Sequence, residues 1–445
     1  MIFDFLKYCL GEKDNMSNVV ANIGWQQLYS FASKQAILRL CFDGIGRLGK
    51  EYSEELKQNP IERELLMTWM GKAQQIRRQN MKVNGVAAKL YSKFREDGLR
   101  CCILKGQGNA LMYPNPYSRT PGDIDVWVNA SREDITEYAK RHFKLEDDIR
   151  FHHLETTMDG VPVELHFFPC SMNNLLYHAR LQKWFKRNAD LQCSNVVSLP
   201  DGIGEIAIPT TAFNVIYQLT HLYHHFFDEG IGMRQIIDYF LVVNDFSKNV
   251  FLNNDFSNPS VSLSKGSSTS HPSPLSSEER DVTALRCSEP LRYKDGGTSK
   301  SSPNCAGWDR LSIEGDNSAG STTAVISSVS TALDVVQREL KYLGLWKFAG
   351  AVMYVLHEAL GLSEEKMIAP MDEKRGKLLL AEILNAGNFG RHFTKYGHFT
   401  QQGMAKKYFL KIWRNMHFVR YYPAEALSEP IFRTWHFFWR LKHRR

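Results

Sequence analysis

The chain runs to 445 residues, 43% apolar and 12% aromatic, with a formal charge of +7. That is too long for one small core, so two or three domains are expected of an otherwise ordinary globular composition. The charge is local: ten Lys/Arg against Glu425 and Glu429 between Lys406 and Arg445 leave the remainder near neutral, which argues against nucleic acid as a partner for the chain as a whole.

Eight cysteines are scattered, with no CxxC or Cys/His spacing of the zinc-binding kind, and read as reduced thiols in a cytoplasmic protein. The first ten residues carry Asp4 and lack a basic run, so they are not read as a signal peptide. No apolar run reaches the ~20 residues that span a bilayer.

Apolar residues recur at helical spacing over residues 18–48 (Val19, Ile23, Leu28, Phe31), with Gly44 and Gly46 as the stop, and again over 60–96, closed by Asp97-Gly98. Residues 1–98 are therefore a helical N-terminal segment, read as scaffold. From 99 to 208 the pattern is mixed. A short strand, Arg100 to Leu104, runs into the turn Lys105-Gly106-Gln107-Gly108, and a helix is expected over 110–113. The β-branched run Ile124 to Val128 follows, then a helix over 131–142 with Ser131 as N-cap and Asp134 three residues on. Residues 150–158 and 161–168 read as strands joined by the tight turn Asp159-Gly160. The outcome is a small mixed sheet with helices on one face.

Helical period returns over 209–246, as two helices (210–227 and 232–244), and over 330–445, chiefly at 330–362 and 375–384; these form a helical C-terminal domain. Between them, residues 247–329 are rich in Ser, Gly, Asn and Pro with no sustained period, the composition of a disordered insertion. In the tail, aromatics interleave with Lys/Arg. Trp435, Phe438 and Trp439 at helical spacing read as packed core with a solvated basic rim; the alternative is peripheral contact of that tail with an anionic membrane surface.

The chemistry concentrates in Gly122-Asp123-Ile124-Asp125-Val126 and Val163-Glu164-Leu165-His166. Strand side chains alternate, so Asp123 and Asp125 share one face while Ile124, Val126 and Val128 share the other. Glu164 and His166 are paired in the same way against Val163, Leu165 and Phe167. Adjacent strands would present three carboxylates and an imidazole together, and carboxylates so gathered repel one another unless a cation lies among them. Hard cations with oxygen ligands suit such a set, Mg²⁺ above all, with Mn²⁺ as a substitute. Asp-x-Asp plus a third carboxylate is the arrangement that two-metal nucleotidyl transfer needs.

These motifs resemble the uncharacterised nucleotidyltransferase-like family of the DNA polymerase β-type superfamily. The resemblance lies in Ile103-Leu104-Lys105-Gly106, Tyr113-Pro114, Arg119, the two carboxylate motifs and Gly230-Ile231-Gly232-Met233-Arg234 through Asp238. It continues in Gly344-Leu345, Lys347-Phe348-Ala349 and Gly387-Asn388-Phe389-Gly390, and so covers nearly the whole chain outside the Ser-rich insertion. It implies an α+β fold in which a small mixed-sheet catalytic core joins the helical layers. Asp123, Asp125 and Glu164 would be metal ligands, and Lys105, Gly106, Arg119 and Arg234 would face the nucleotide. One departure is that the glycine turn lies about seventeen residues before Asp123, against about ten in the wider superfamily, where its backbone N–H groups hold the triphosphate.

Several residues keep two readings. Lys105 either adds positive charge at the phosphates or snorkels from a strand end. Arg119 either meets phosphate or pairs with Asp123 or Asp125. His166 either orients Glu164 or is a structural histidine. His221 and His225 have the i,i+4 spacing of zinc ligands but lack a third ligand, so packing or nucleotide contact is preferred. Arg234 and Asp238 form either a surface ion pair or a buried pair that steers Arg234 to phosphate. The expected activity is Mg²⁺-dependent transfer of a nucleoside monophosphate from a nucleoside triphosphate to an unidentified acceptor hydroxyl. A catalytically inactive nucleotide-sensing or partner-binding relative is the alternative.

Overall fold

The computed structural model describes residues 1–145, 150–252, 321–390 and 404–443. Helices α1 (Ile2–Leu10), α2 (Ser17–Val20), α3 (Trp25–Lys34), α4 (Leu38–Glu51), α5 (Ser53–Gln58) and the 34-residue α6 (Arg63–Glu96) precede the sheet. Gly44 and Gly46 lie inside α4 and do not end it. A Cβ on Gly44 would stand 2.3 Å from Cys9 Sγ, so this glycine serves the close approach of α1 to α4.

Strands β1 (Cys101–Ile103), β2 (Ile124–Val128), β3 (His153–Met158) and β4 (Val161–His166) form a sheet in the order β1-β2-β4-β3, antiparallel except for the parallel β2/β4 pair. Helix α7 (Gln107–Ala110) starts earlier than the expected 110–113, directly after Gly106, whose φ of 58° is the turn's left-handed residue. Helix α8 (Arg132–His142) makes the β2-to-β3 crossover. Ser131 caps it by accepting the Asp134 N–H, and the Ser131 hydroxyl donates to the Asp134 carboxylate. At the hairpin, Asp159 (φ 51°) and Gly160 (φ 72°) both lie in the left-handed region that a two-residue turn requires.

The sheet is covered on both faces, not one. Ile124, Val126, Val128, Val163 and Leu165 bury against Val86, Leu90 and Phe94 of α6 and Ile135 of α8. The opposite face carries Trp127 beyond the carboxylates, and so large an apolar ring needs its own cover. It stacks on Phe213 (centroids 5.9 Å) and meets Phe185 edge-on (6.1 Å), from helices α10 (Thr211–Asp228) and α9 (Leu175–Ser194). Helix α9 and the small hairpin β5 (Val196–Ser198) to β6 (Glu205–Ala207) carry no signal used in the sequence reading.

Helices α11 (Met233–Leu252) and α12 (Ser321–Tyr342) extend a few residues into the Ser-rich stretch from either side; the rest of that insertion, 253–320, lies outside the described residues. The single helix expected over 330–362 is divided at Gly344 (φ 74°), where a Cβ would meet the Tyr177 ring at 2.6 Å, and resumes as α13 (Trp346–Val355). The chain finishes in α14 (Glu373–Ala386), α15 (Met404–Met416) and α16 (Pro423–His443). One continuous core contains α1 (Phe5, Leu6), α10 (Phe226, Phe227) and the late residues Phe418 and Tyr422, both of which meet Phe226. The tail departs from the packed reading: Trp435 is 44% and Phe438 62% exposed, while Phe151 meets Trp435, Trp439 and Phe432 edge-on. No helix among the described residues is long and apolar enough to cross a membrane.

Candidate active site

A cleft of about 530 Å³ opens between the acidic sheet face and helices α10, α11 and α15. The parallel register sets Asp125 beside Glu164 and Trp127 beside His166. Asp125 is thereby fixed on a buried strand, Glu164 is half-buried next to it, and Asp123 stands at the exposed lip just before β2. His166 Nε2 lies 3.1 Å from both Asp125 Oδ1 and Glu164 Oε2, so it bridges the two acids, an arrangement that both of its readings share. Lys105 does not snorkel outward. Its Nζ is 3.0 Å from Asp125 Oδ1 and 2.9 Å from His221 Nε2, at the floor of the cleft.

The electrostatics follow from crowding. The Asp125 charge, with burial second, raises the Asp123 carboxyl, as like charges must. Burial alone would raise Asp125 too, but Lys105 and His166 override it and hold that carboxyl low. For Lys105, burial is outweighed by the charges of Asp125, Asp123 and Glu164, so the ammonium is favoured. His166 resists burial through its bonds to Asp125 and Glu164 and is pushed up to about 9.

A second layer holds two guanidiniums over one acid. Arg119 does not pair with Asp123 or Asp125. Its Nε and Nη2 donate to Asp238 at 3.0 and 2.9 Å, and Tyr113 donates to the same carboxylate at 2.7 Å. Asn80 on α6 fixes the Arg119 backbone by donating to its carbonyl at 2.8 Å. Asp238 is thus a partner of Arg119, and it lies buried, not on the surface; Arg234, a turn earlier on α11, donates Nη1 to the Thr120 carbonyl at 3.0 Å instead. The reason is reach: Arg119 arrives from the loop before β2 and presents a bidentate fork that an i,i+4 neighbour on the same helix does not. Burial, then the nearby Arg119 charge, lowers Arg234, against the pull of Asp238. Gly122 borders that guanidinium; a Cβ there would lie 3.8 Å from Arg234 Nη1. Lys105, Gly106, Arg119, Asp123, Asp125, Glu164 and Arg234 all line the same cleft.

The donor set fits a hard divalent cation. Asp125 Oδ2 is buried with no hydrogen-bond partner among the described residues, and Asp125, Glu164 and His166 each offer a ligand atom within 4.8 Å of the other two. A buried carboxylate oxygen left without a donor is costly unless a ligand satisfies it. His221 and His225, with rings 4.3 Å apart, belong to none of the metal-capable groups found among the described residues. Their wall of the cleft meets Lys105.

Sequence reasoning missed Asn80, the Lys105–His221 contact and the pair His152-His153. The first two join residues 39 and 116 positions apart, for which no local pattern exists. The third had a signal. A two-residue turn at Asp159-Gly160 fixes the β3/β4 register, which sets His153 opposite His166 and Glu155 opposite Glu164.

A mixed sheet thus presents carboxylates from neighbouring parallel strands into a cleft that Lys105, Arg119 and Arg234 also line. The family model described as "Uncharacterised nucleotidyltransferase" matches residues 21–256, more than half of the chain, and the chain belongs to that family. The match takes in every cleft residue from α6 through α11; the resembling segments at 344–349 and 387–390 lie beyond it. No curated protein and no solved structure matches the chain.

Proposed function

We propose that the cleft transfers a nucleoside monophosphate from a nucleoside triphosphate to an acceptor hydroxyl. The observation that carries this is the pairing of Asp125 with Glu164 on adjacent parallel strands, with Asp123 at the lip and Asp125 Oδ2 unsatisfied. Asp123, Asp125 and Glu164 would hold Mg²⁺, with Mn²⁺ as a substitute; when bound it supplies Lewis-acid stabilisation of charge on the phosphoryl oxygens and lowers the pKa of an attacking hydroxyl. Arg119 and Arg234, two buried guanidiniums lining the same cleft, would draw the triphosphate tail to the far wall. Lys105 would hold Asp125 ionised and add positive charge near the turn at Gly106. Glu164 would orient the acceptor hydroxyl and help to take its proton as the acceptor oxygen bonds to the α-phosphorus and pyrophosphate departs. His166, bonded to two acids, would keep both carboxylates in place.

Thermal stability tests the nucleotide half of this reading. With Mg²⁺ and the right triphosphate at ~100 times its dissociation constant, the protein should gain roughly 2.7 kcal/mol, and Asp125→Asn should lose that gain. A wild-type protein indifferent to every triphosphate would remove the proposal. Stabilisation without any transfer would leave the sensing relative.

A further inference from the structure

The transfer reading leaves His152 and His153, which cluster with His166 in the same cleft, without a role. His153 opens β3 opposite His166 at the end of β4, and His152 precedes it. Ring centroids are 4.2 Å apart for His152 and His153, 5.1 Å for His153 and His166, and 5.6 Å for His152 and His166. One ligand nitrogen from each lies within 4.8 Å of the other two. His153 and His166 are only 3% and 4% exposed. His166 spends Nε2 on Asp125 and Glu164, and its Nδ1 is buried with no hydrogen-bond partner among the described residues. His153 sets Nε2 3.2 Å from Glu155 Oε1 and Nδ1 3.2 Å from Glu164 Oε2, so carboxylates flank the imidazole cluster as they flank metal-bound histidines.

Three imidazoles gathered in one largely buried cluster without bonds to one another make a poor core and a good ligand set, and a metal bound there takes the place of a ring proton. Nitrogens at 2.0–2.1 Å around a tetrahedral ion stand about 3.3 Å apart, so each ring would need to move by under about 1 Å to close on it. Mg²⁺ demands oxygen ligands, whereas imidazole suits zinc and its neighbours in the transition series. We propose that His152, His153 and His166 form a second metal site, for a borderline ion of the zinc class, beside the carboxylate site. The inference stands on these three side chains and not on the transferase reading.

The test uses the full-length chain, stripped by chelator and dialysed against Zn²⁺ in a large excess of Mg²⁺, with bound metal counted by elemental analysis. About one zinc per chain should remain on the wild type, and binding should weaken at least tenfold in His152→Ala and in His153→Ala. Co²⁺ loaded into the unaltered wild type should give the intense visible absorption of a four-coordinate ion, a readout that needs no variant to fold. Asp123→Asn should keep its zinc while losing stabilisation by Mg²⁺ and triphosphate, which separates this proposal from the transferase reading. Failure to retain zinc, retention undiminished in His152→Ala/His153→Ala, or loss in Glu155→Gln but not in His152→Ala would overturn it.

Discussion

At Asp238 the count of charges decides what a substitution does. Arg119 and Arg234 are both buried, and Asp238 is the carboxylate that Arg119 grips with two nitrogens. Removing one partner of such a pair strands the other, which typically costs about 3–5 kcal/mol. Asp238→Asn should therefore lower the denaturant midpoint strongly with an unchanged slope, and Arg119→Lys should fail to restore the bidentate grip. Asp123 behaves in the opposite sense. It sits at an exposed lip against the Asp125 charge, so neutralising it relieves repulsion. Asp123→Asn should leave the metal-free protein as stable as wild type or up to ~1 kcal/mol more stable, while stabilisation by Mg²⁺ and triphosphate disappears. A metal-free protein clearly destabilised by that substitution would show that Asp123 has a structural partner.

Among the elements, α16 docks through a buried acid. Glu425 accepts the backbone N–H groups of Asn173 and Asn174 at 2.6 and 3.2 Å, ahead of α9. Burial pushes its carboxyl up to about 7 from an ordinary 4.5, against the pull of those two donors. The folded state therefore binds this proton more tightly than the unfolded chain. The contribution is fully present below pH 4.5 and is lost as pH rises to about 7, at no more than ~1.4 kcal/mol per pH unit. Urea unfolding of wild type and Glu425→Gln across pH 4.5–7.5 should show wild type losing stability relative to the variant through that window, above a constant offset for the hydrogen bond the amide cannot make. Parallel pH profiles would contradict the assignment. The neighbouring helix faces explain why the tail misled: Trp435 and Phe438 have core spacing, but only part of the α16 surface meets Phe151 and its surroundings, and periodicity does not say which face finds a partner.

For the whole molecule, the sequence was most informative where a short-range rule acts alone. Strand alternation placed Glu164 and His166 on one face of β4, Ser131 marked the start of α8, and Asp159-Gly160 marked the hairpin, because each depends only on neighbours along the chain. It was silent where the partner lies far away. Arg119 chose Asp238 over the nearer Asp123, Lys105 met His221, and Gly44 stayed helical because α1 crosses it. The cover over Trp127 likewise came from α9 and α10, well downstream. That Lys105, Arg119, Asp123, Asp125, Glu164 and Arg234 line one cleft agrees with the sequence reading, whereas the bonds among them could not be read there. What that cleft performs is best tested by following the α-phosphate. Purified protein, Mg²⁺ and triphosphates labelled at the α- or the γ-phosphorus are incubated with an extract of the source cells. Label from the α position alone should reach an acceptor, with pyrophosphate released, and Asp125→Asn should abolish it. Transfer of γ-label, or α-label transfer unchanged in Asp125→Asn, would contradict the account.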